Sequence, residues 1–157
     1  MKIAVVSDTH RINKYIDIAN KYIKDCDVVI HLGDNIDDVE RLSKGFNGEV
    51  YSVTGNCDVS NKYPSEQVLE LEGKKIFITH GHNYGVKYSL NNIYYRAKEL
   101  EVDMVLFGHT HEALIIEEDN IIFMNPGSIS LPRSINRCIG YIEISHGIDA
   151  YLKKINE

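Results

Sequence analysis

The stretch "IAVVSDTH", residues 3–10, sets four apolar residues ahead of a serine, an acid, a threonine and a histidine. An Ile/Val-rich run this short reads as a buried strand. The polar residues after it then fall in the loop at the strand's carboxyl end. The plan recurs in "VVIHLGD" (28–34), "VYSVTGN" (50–56), "IFITHGH" (76–82) and "MVLFGHTH" (104–111). Each run ends in metal-ligand chemistry: Asp8 and His10, Asp34, Asn56, His80 and His82, His109 and His111. In α/β sheets, ligands bind outside the carboxyl ends of the strands. The five clusters are therefore expected at one edge of the sheet. Any single cluster has a simpler account, because Asp or Asn after a strand commonly caps a helix or makes an Asx-turn. Five clusters at the same topological position would need five such accounts to hold at once. Gly33, Gly55, Gly81 and Gly108 adjoin four of them, where glycine lets a backbone turn sharply and approach a ligand.

Short apolar runs predict further strands along the chain. The full set is Lys2–Val6, Val28–Leu32, Val50–Val53, Val68–Leu71, Lys75–Thr79, Met104–Phe107, Leu114–Glu117, Ile121–Met124, Cys138–Ser145 and Asp149–Ile155. Helical spacing of apolar residues predicts helices over 12–24, 36–44 and 89–101, the last with Ser89 as a candidate cap. The first half alternates strand and helix, which argues for parallel pairing. The second half has turn-like joints in "LEGKK", "EEDN" and "SHGID", which argue for hairpins. The expected fold is a mixed α/β domain with two sheets, a single domain over residues 1–157. No GxGxxG follows the first strand, so a dinucleotide-binding fold is disfavoured.

Composition narrows the class. The chain carries 17 Lys and Arg against 23 Asp and Glu, a formal net charge of -6. A non-specific nucleic-acid binder normally carries a basic stripe, and none is visible. No segment approaches the ~20 apolar residues of a membrane span. Cys26, Cys57 and Cys138 show no CxxC spacing, and they read as free thiols in a reducing cytoplasm. Oligomeric state is not readable from the sequence.

Asp8, His10, Asp34, Asn56, His80, His109 and His111 make a mixed oxygen–nitrogen donor set. Such a set suits Mn, Fe, Zn, Ni or Co better than an all-oxygen Ca or Mg cage. If the seven residues serve two ions, one carboxylate must bridge. Two metals about 3.5–4 Å apart clamp a phosphoryl group for in-line attack.

In these motifs the sequence resembles the calcineurin-like metallophosphoesterases, specifically their small YfcE-type phosphodiesterase branch. The family pattern of DxH, GD, GNH followed by an acid, a strand-ending histidine and GHxH appears here as Asp8-Thr9-His10, Gly33-Asp34, Gly55-Asn56-Cys57-Asp58 with cysteine in place of the histidine, His80 and Gly108-His109-Thr110-His111. "NPGSISLPR", residues 125–133, is also similar to that branch. The resemblance implies an α/β fold of two face-to-face mixed β-sheets flanked by helices. It also implies two divalent ions, with manganese as the first choice and Ni, Co, Fe or Zn as alternatives. Asp8, His10 and His111 would hold one ion and Asn56, His80 and His109 the other, with Asp34 bridging. The implied reaction is hydrolysis of a small phosphodiester by a metal-bridging hydroxide. His82 falls beside the site, either toward substrate or in a solvated turn. Arg133 either contacts a phosphate or is a surface arginine. His31 is expected in the core or behind the ligands, and His146 in a solvent-facing hairpin. The segment 125–128 is expected as a tight turn supporting the site.

Cys57 stands where the broader family often has a histidine that assists the leaving group. A thiol has a pKa of about 8.5, donates weakly and cannot carry positive charge. A nucleophilic role would call for the Cys-x5-Arg loop of cysteine phosphatases, but residue 63 is a tyrosine. The readings in order are a small neutral neighbour, a weak donor, then a ligand. Asp58 is expected as a turn or supporting residue. The rival class is a non-catalytic scaffold, because a retromer subunit has the same fold. Scaffold relatives tend to lose ligands, and all seven are present here.

Overall fold

The computed structural model describes residues 1–156. In chain order the elements are β1 (Lys2–Val6), α1 (Asn13–Tyr22), β2 (Val28–His31), α2 (Asp38–Leu42), β3 (Glu49–Ser52), β4 (Glu66–Leu71), β5 (Lys74–Thr79), a 3-10 turn (His82–Tyr84), α3 (Asn91–Leu100), β6 (Met104–Leu106), β7 (Ala113–Glu118), β8 (Ile121–Pro126), β9 (Cys138–Ile144) and β10 (Ile148–Lys154). They form two five-stranded sheets, ordered β10-β9-β1-β2-β3 and β4-β5-β6-β8-β7. Each mixes parallel and antiparallel pairs. The expected α/β fold of two packed mixed sheets with outer helices is the fold observed.

The apolar runs are continuous because their strands are buried on both faces, and successive side chains point opposite ways. In β1, Ile3 and Val5 enter the core between the sheets, while Ala4 and Val6 pack outward against α1. β6 divides likewise: Met104 and Leu106 face the first sheet, and Val105 packs with Ile93 and Ala97 of α3. Burying each such side chain is worth about 1.5–3 kcal/mol. The layers are therefore helix, sheet, sheet, helix, and the strand ends are rigidly spaced.

Boundaries moved where hydrogen bonds outweighed pattern. The helix expected over 36–44 shrinks to Asp38–Leu42, because the backbone N–H groups of Asn35 and Ile36 are turned toward Asp58. Asn125 and Pro126, expected in a turn, instead end β8, and the chain turns at Gly127 with φ 76°. The cap of α3 falls on Leu90, although Ser89 Oγ accepts the Asn91 N–H at 3.3 Å. No described helix is long and apolar enough to cross a membrane.

Candidate metal centre

β1, β2 and β3 are parallel neighbours in one sheet, as are β5 and β6 in the other. The five loops that follow them converge. Asp8, His10, Asp34 and His111 offer ligand atoms within 4.8 Å of one another, and so do Asp34, His80 and His109. Asp34 belongs to both groups. Its Oδ2 lies 3.9 Å from His10 Nε2 and its Oδ1 3.3 Å from His80 Nε2. Asn56 joins the second group, with Oδ1 3.1 Å from His80 Nε2. Asp8 Oδ1 lies 3.2 Å from His111 Nε2, 3.8 Å from His10 Nε2 and 3.9 Å from His80 Nε2.

The supporting hydrogen bonds leave lone pairs aimed at the centre. His80 donates from Nδ1 to the Leu32 carbonyl at 2.7 Å, and His111 donates from Nδ1 to the Leu131 carbonyl at 2.9 Å. Each ring thus turns Nε2 inward, and His111 Nε2 meets His10 Nε2 at 3.1 Å. Asp8 Oδ2 accepts from Ser7 Oγ at 2.5 Å and from the His109 N–H at 3.1 Å. The other oxygen, buried Oδ1, has no hydrogen-bond partner among the described residues. An unsatisfied buried acceptor costs about 1–3 kcal/mol, and more when charged. A cation among Asp8, His10, Asp34 and His111 would satisfy it, and one in each group would relieve the facing lone pairs. The residues therefore fit metal ions, with carbonyls behind the histidines fixing their orientation.

The backbone is strained to reach this arrangement. Asp8, His10, Asp34, His109 and His111 all have left-handed φ, between 46° and 69°. Such residues cost of order 1 kcal/mol or more each, and strain of this kind gathers at functional sites. Glycine provides room at the closest approaches. A Cβ on Gly55 would collide with Asp34 Oδ1, and one on Gly108 would collide with Ser7 Oγ and stand 2.8 Å from Asp8 Oδ2.

Charge is shared unevenly. Burial works against the charged form of His80, but the hydrogen bond to Asp34 and the fields of Asp8 and Asp34 raise it above an ordinary imidazole. Burial, then the neighbouring His80 and Lys87, push His109 down to about 4. The Asp8 carboxylate, 3.2 Å away, raises His111. Burial pulls Asp34 upward, yet His80 and the Cys57 N–H hold it well below the usual carboxylate range.

The remaining candidates take distinct places. Cys57 is an exposed free thiol whose N–H donates to Asp34 Oδ1 at 3.0 Å. Burial and then the Asp34 charge push that thiol up. The His82 ring lies 5.3 Å from His80 and 6.1 Å from His109, and its buried Nδ1 has no partner among the described residues. Arg133 is exposed, and its N–H donates to the His111 carbonyl at 2.9 Å. His31 is fully buried behind the pocket. Its Nδ1 accepts the Gly33 N–H at 3.2 Å, so Nε2–H donates to Thr9 Oγ1 at 3.1 Å. His146 is exposed in the last hairpin.

The segment 125–128, expected to support the site, does so, and Ser130 joins it. Ser128 Oγ donates to the Asp8 carbonyl at 2.6 Å and Ser130 Oγ to the Thr9 carbonyl at 2.5 Å. The Asn125 amide donates to the Gly108 carbonyl and to Thr110 Oγ1, both at 2.9 Å. Asp58, expected as a turn or supporting residue, accepts four backbone N–H groups and so takes the supporting role.

The calcineurin-like phosphoesterase superfamily domain matches residues 1–147. A probable metallophosphoesterase of Bacillus subtilis is 38% identical over 135 residues, covering 85% of this chain and 78% of its own length. A phosphodiesterase of Methanocaldococcus jannaschii is 30% identical over 161 residues, covering 90% of this chain and 87% of its own. The structure of YfcE, a phosphoesterase from E. coli, aligns with TM-score 0.72 and 24% identity over 99% of this chain and 100% of that one. At that identity the likeness to YfcE is one of fold. The domain match spans nearly the whole chain and the relatives agree with it: this protein belongs to the calcineurin-like phosphoesterase superfamily, whose members are metal-dependent hydrolases.

Proposed function

We propose that this protein is a phosphodiesterase that works with two divalent cations. The observation that carries the proposal is Asp34, whose two oxygens face two separate groups of donors. Asp8, His10 and His111 would hold one ion, Asn56, His80 and His109 the other, and Asp34 would bridge. The oxygen–nitrogen donor mix suits Mn, Fe, Zn, Ni or Co, and manganese is our first choice among them. When bound, the two ions supply Lewis acidity toward phosphoryl oxygens and a water of lowered pKa.

The chain's own residues do the positioning. Carbonyls behind His80 and His111 hold Nε2 toward the centre. Two donors on Asp8 Oδ2 leave Oδ1 free to ligate. Asp8 and Asp34 offset only half the charge of two divalent ions, so the pocket attracts an anion although the chain is acidic. A phosphodiester anion would offset part of that remainder. The M. jannaschii relative named as a phosphodiesterase supports the same substrate class.

His82, on the His80 and His109 side, and Arg133, beside His111, are assigned to the substrate phosphate. Cys57 places no cationic acid beside the leaving group. Activated aryl diesters should therefore react best. The substrate is a small phosphodiester rather than nucleic acid. Residues 1–157 act as one domain, in the reducing cytoplasm that the free thiols suit.

The test is metal analysis of the purified protein and turnover of bis(p-nitrophenyl) phosphate across several divalent metals. Metal-dependent hydrolysis, lost in Asp34→Asn, is expected. A metal-loaded protein inert toward every phosphoester would instead make it a scaffold.

A further inference from the structure

The shared carboxylate sits on an unusual piece of backbone. Asp34 and Asn35 are consecutive left-handed residues, with φ 61° and 69°. Two such residues turn their N–H groups into a shallow concavity that favours an anion. Asp58 fills it. Its Oδ1 accepts from Asn35 at 2.8 Å and from Ile36 at 2.9 Å, and its Oδ2 accepts from Asp34 at 3.0 Å. The same Oδ2 accepts the Gly55 N–H at 2.7 Å, next to Asn56. One half-buried side chain thus ties the loop after β2 to the loop after β3.

We infer that Asp58 is the positioning residue for the bridging ligand: its carboxylate holds the left-handed turn that points Asp34 at both groups. This rests on the dinuclear reading above. Asparagine cannot replace it. An amide has one oxygen, so its NH2 end would face two N–H donors and repel them. The turn would then relax toward ordinary φ, and Asp34 would serve one group rather than two. Asp58 touches no proposed substrate atom, so its effect must appear in how the two ions are joined.

The experiment is electron paramagnetic resonance of the manganese(II)-loaded protein. Wild type should show a spin-coupled pair. Asp58→Asn should show mainly the six-line spectrum of uncoupled ions, and the second ion should bind about 10–100-fold more weakly, the usual cost of losing a residue that orients a ligand. A coupled signal in Asp58→Asn equal to wild type would overturn this inference and leave the dinuclear reading standing. Absence of a coupled pair in wild type would overturn both. If the variant does not fold, hydrogen exchange on metal-free wild type decides instead. The amides of Asp34, Asn35 and Ile36 should be protected before metal is added; protection that arises only with metal would overturn the role of Asp58.

Discussion

The two sheets bring different chemistry to one pocket. The loops after β1, β2 and β3 supply Asp8, Asp34 and Asn56, the oxygen donors, together with His10. The loops after β5 and β6 supply imidazoles alone: His80, His109 and His111. Neither sheet carries a complete donor set for either group. The pocket exists only while the inter-sheet core of Ile3, Val28, Ile30, Ile78 and Leu106 keeps the two edges in register. Packing between sheets thus does the work that a single ligand-rich loop does in simpler metal sites.

The comparison breaks most sharply at Asp34, the one donor shared by both groups. Asp34→Asn should lose both ions and bring turnover to background, a larger loss than the roughly 100-fold typical of supporting residues. His109→Ala, on the opposite sheet, should keep the ion on the Asp8 side. Metal content per chain separates the two outcomes.

A buried histidine gives the next effect. His31 ends β2 of the oxygen-rich sheet but faces away from the pocket, and burial lowers it to about 4. The unfolded chain binds its proton near pH 6.5, so stability from the neutral ring is present above that value and lost as pH falls toward 4. The loss should approach about 3 kcal/mol. Thermal unfolding of metal-free protein at pH 7 and pH 4.5 measures it, and His31→Gln should flatten that dependence.

Ser128→Ala sharpens the contrast more gently. It removes the hydroxyl under the Asp8 carbonyl. About 1 kcal/mol of stability and roughly 10-fold in metal affinity should go, with the His80 and His109 side affected less. Calorimetric titration with manganese would read the difference. The smallest change is expected from Cys57→His, as faster cleavage of alkyl diesters. The gain should stay below the roughly 100-fold of a well-placed general acid, because Asp58 is already occupied with backbone and cannot orient the introduced imidazole. Unchanged alkyl-diester rates would remove leaving-group protonation from the account.

The sequence by itself determined the ten strands and the positions of the ligand-bearing loops. Burial on both faces leaves uninterrupted Ile/Val runs, and donors stand out where such a run stops. It also determined which donors could share a site, since DxH, GD, GN, H and GHxH are local patterns. Only the tertiary structure decided which groups would meet. The left-handed turns at Asp8, His10, Asp34, His109 and His111 fall on residue types that tolerate such φ more often than most, but residue type alone does not say which Asp or His will adopt it. The anchoring of Asp34 by Asp58, and of Asp8 by Ser128, joins segments 24 and 120 residues apart. Such bonds form because packed sheets bring distant loops together, and nothing in the neighbouring sequence encodes that approach.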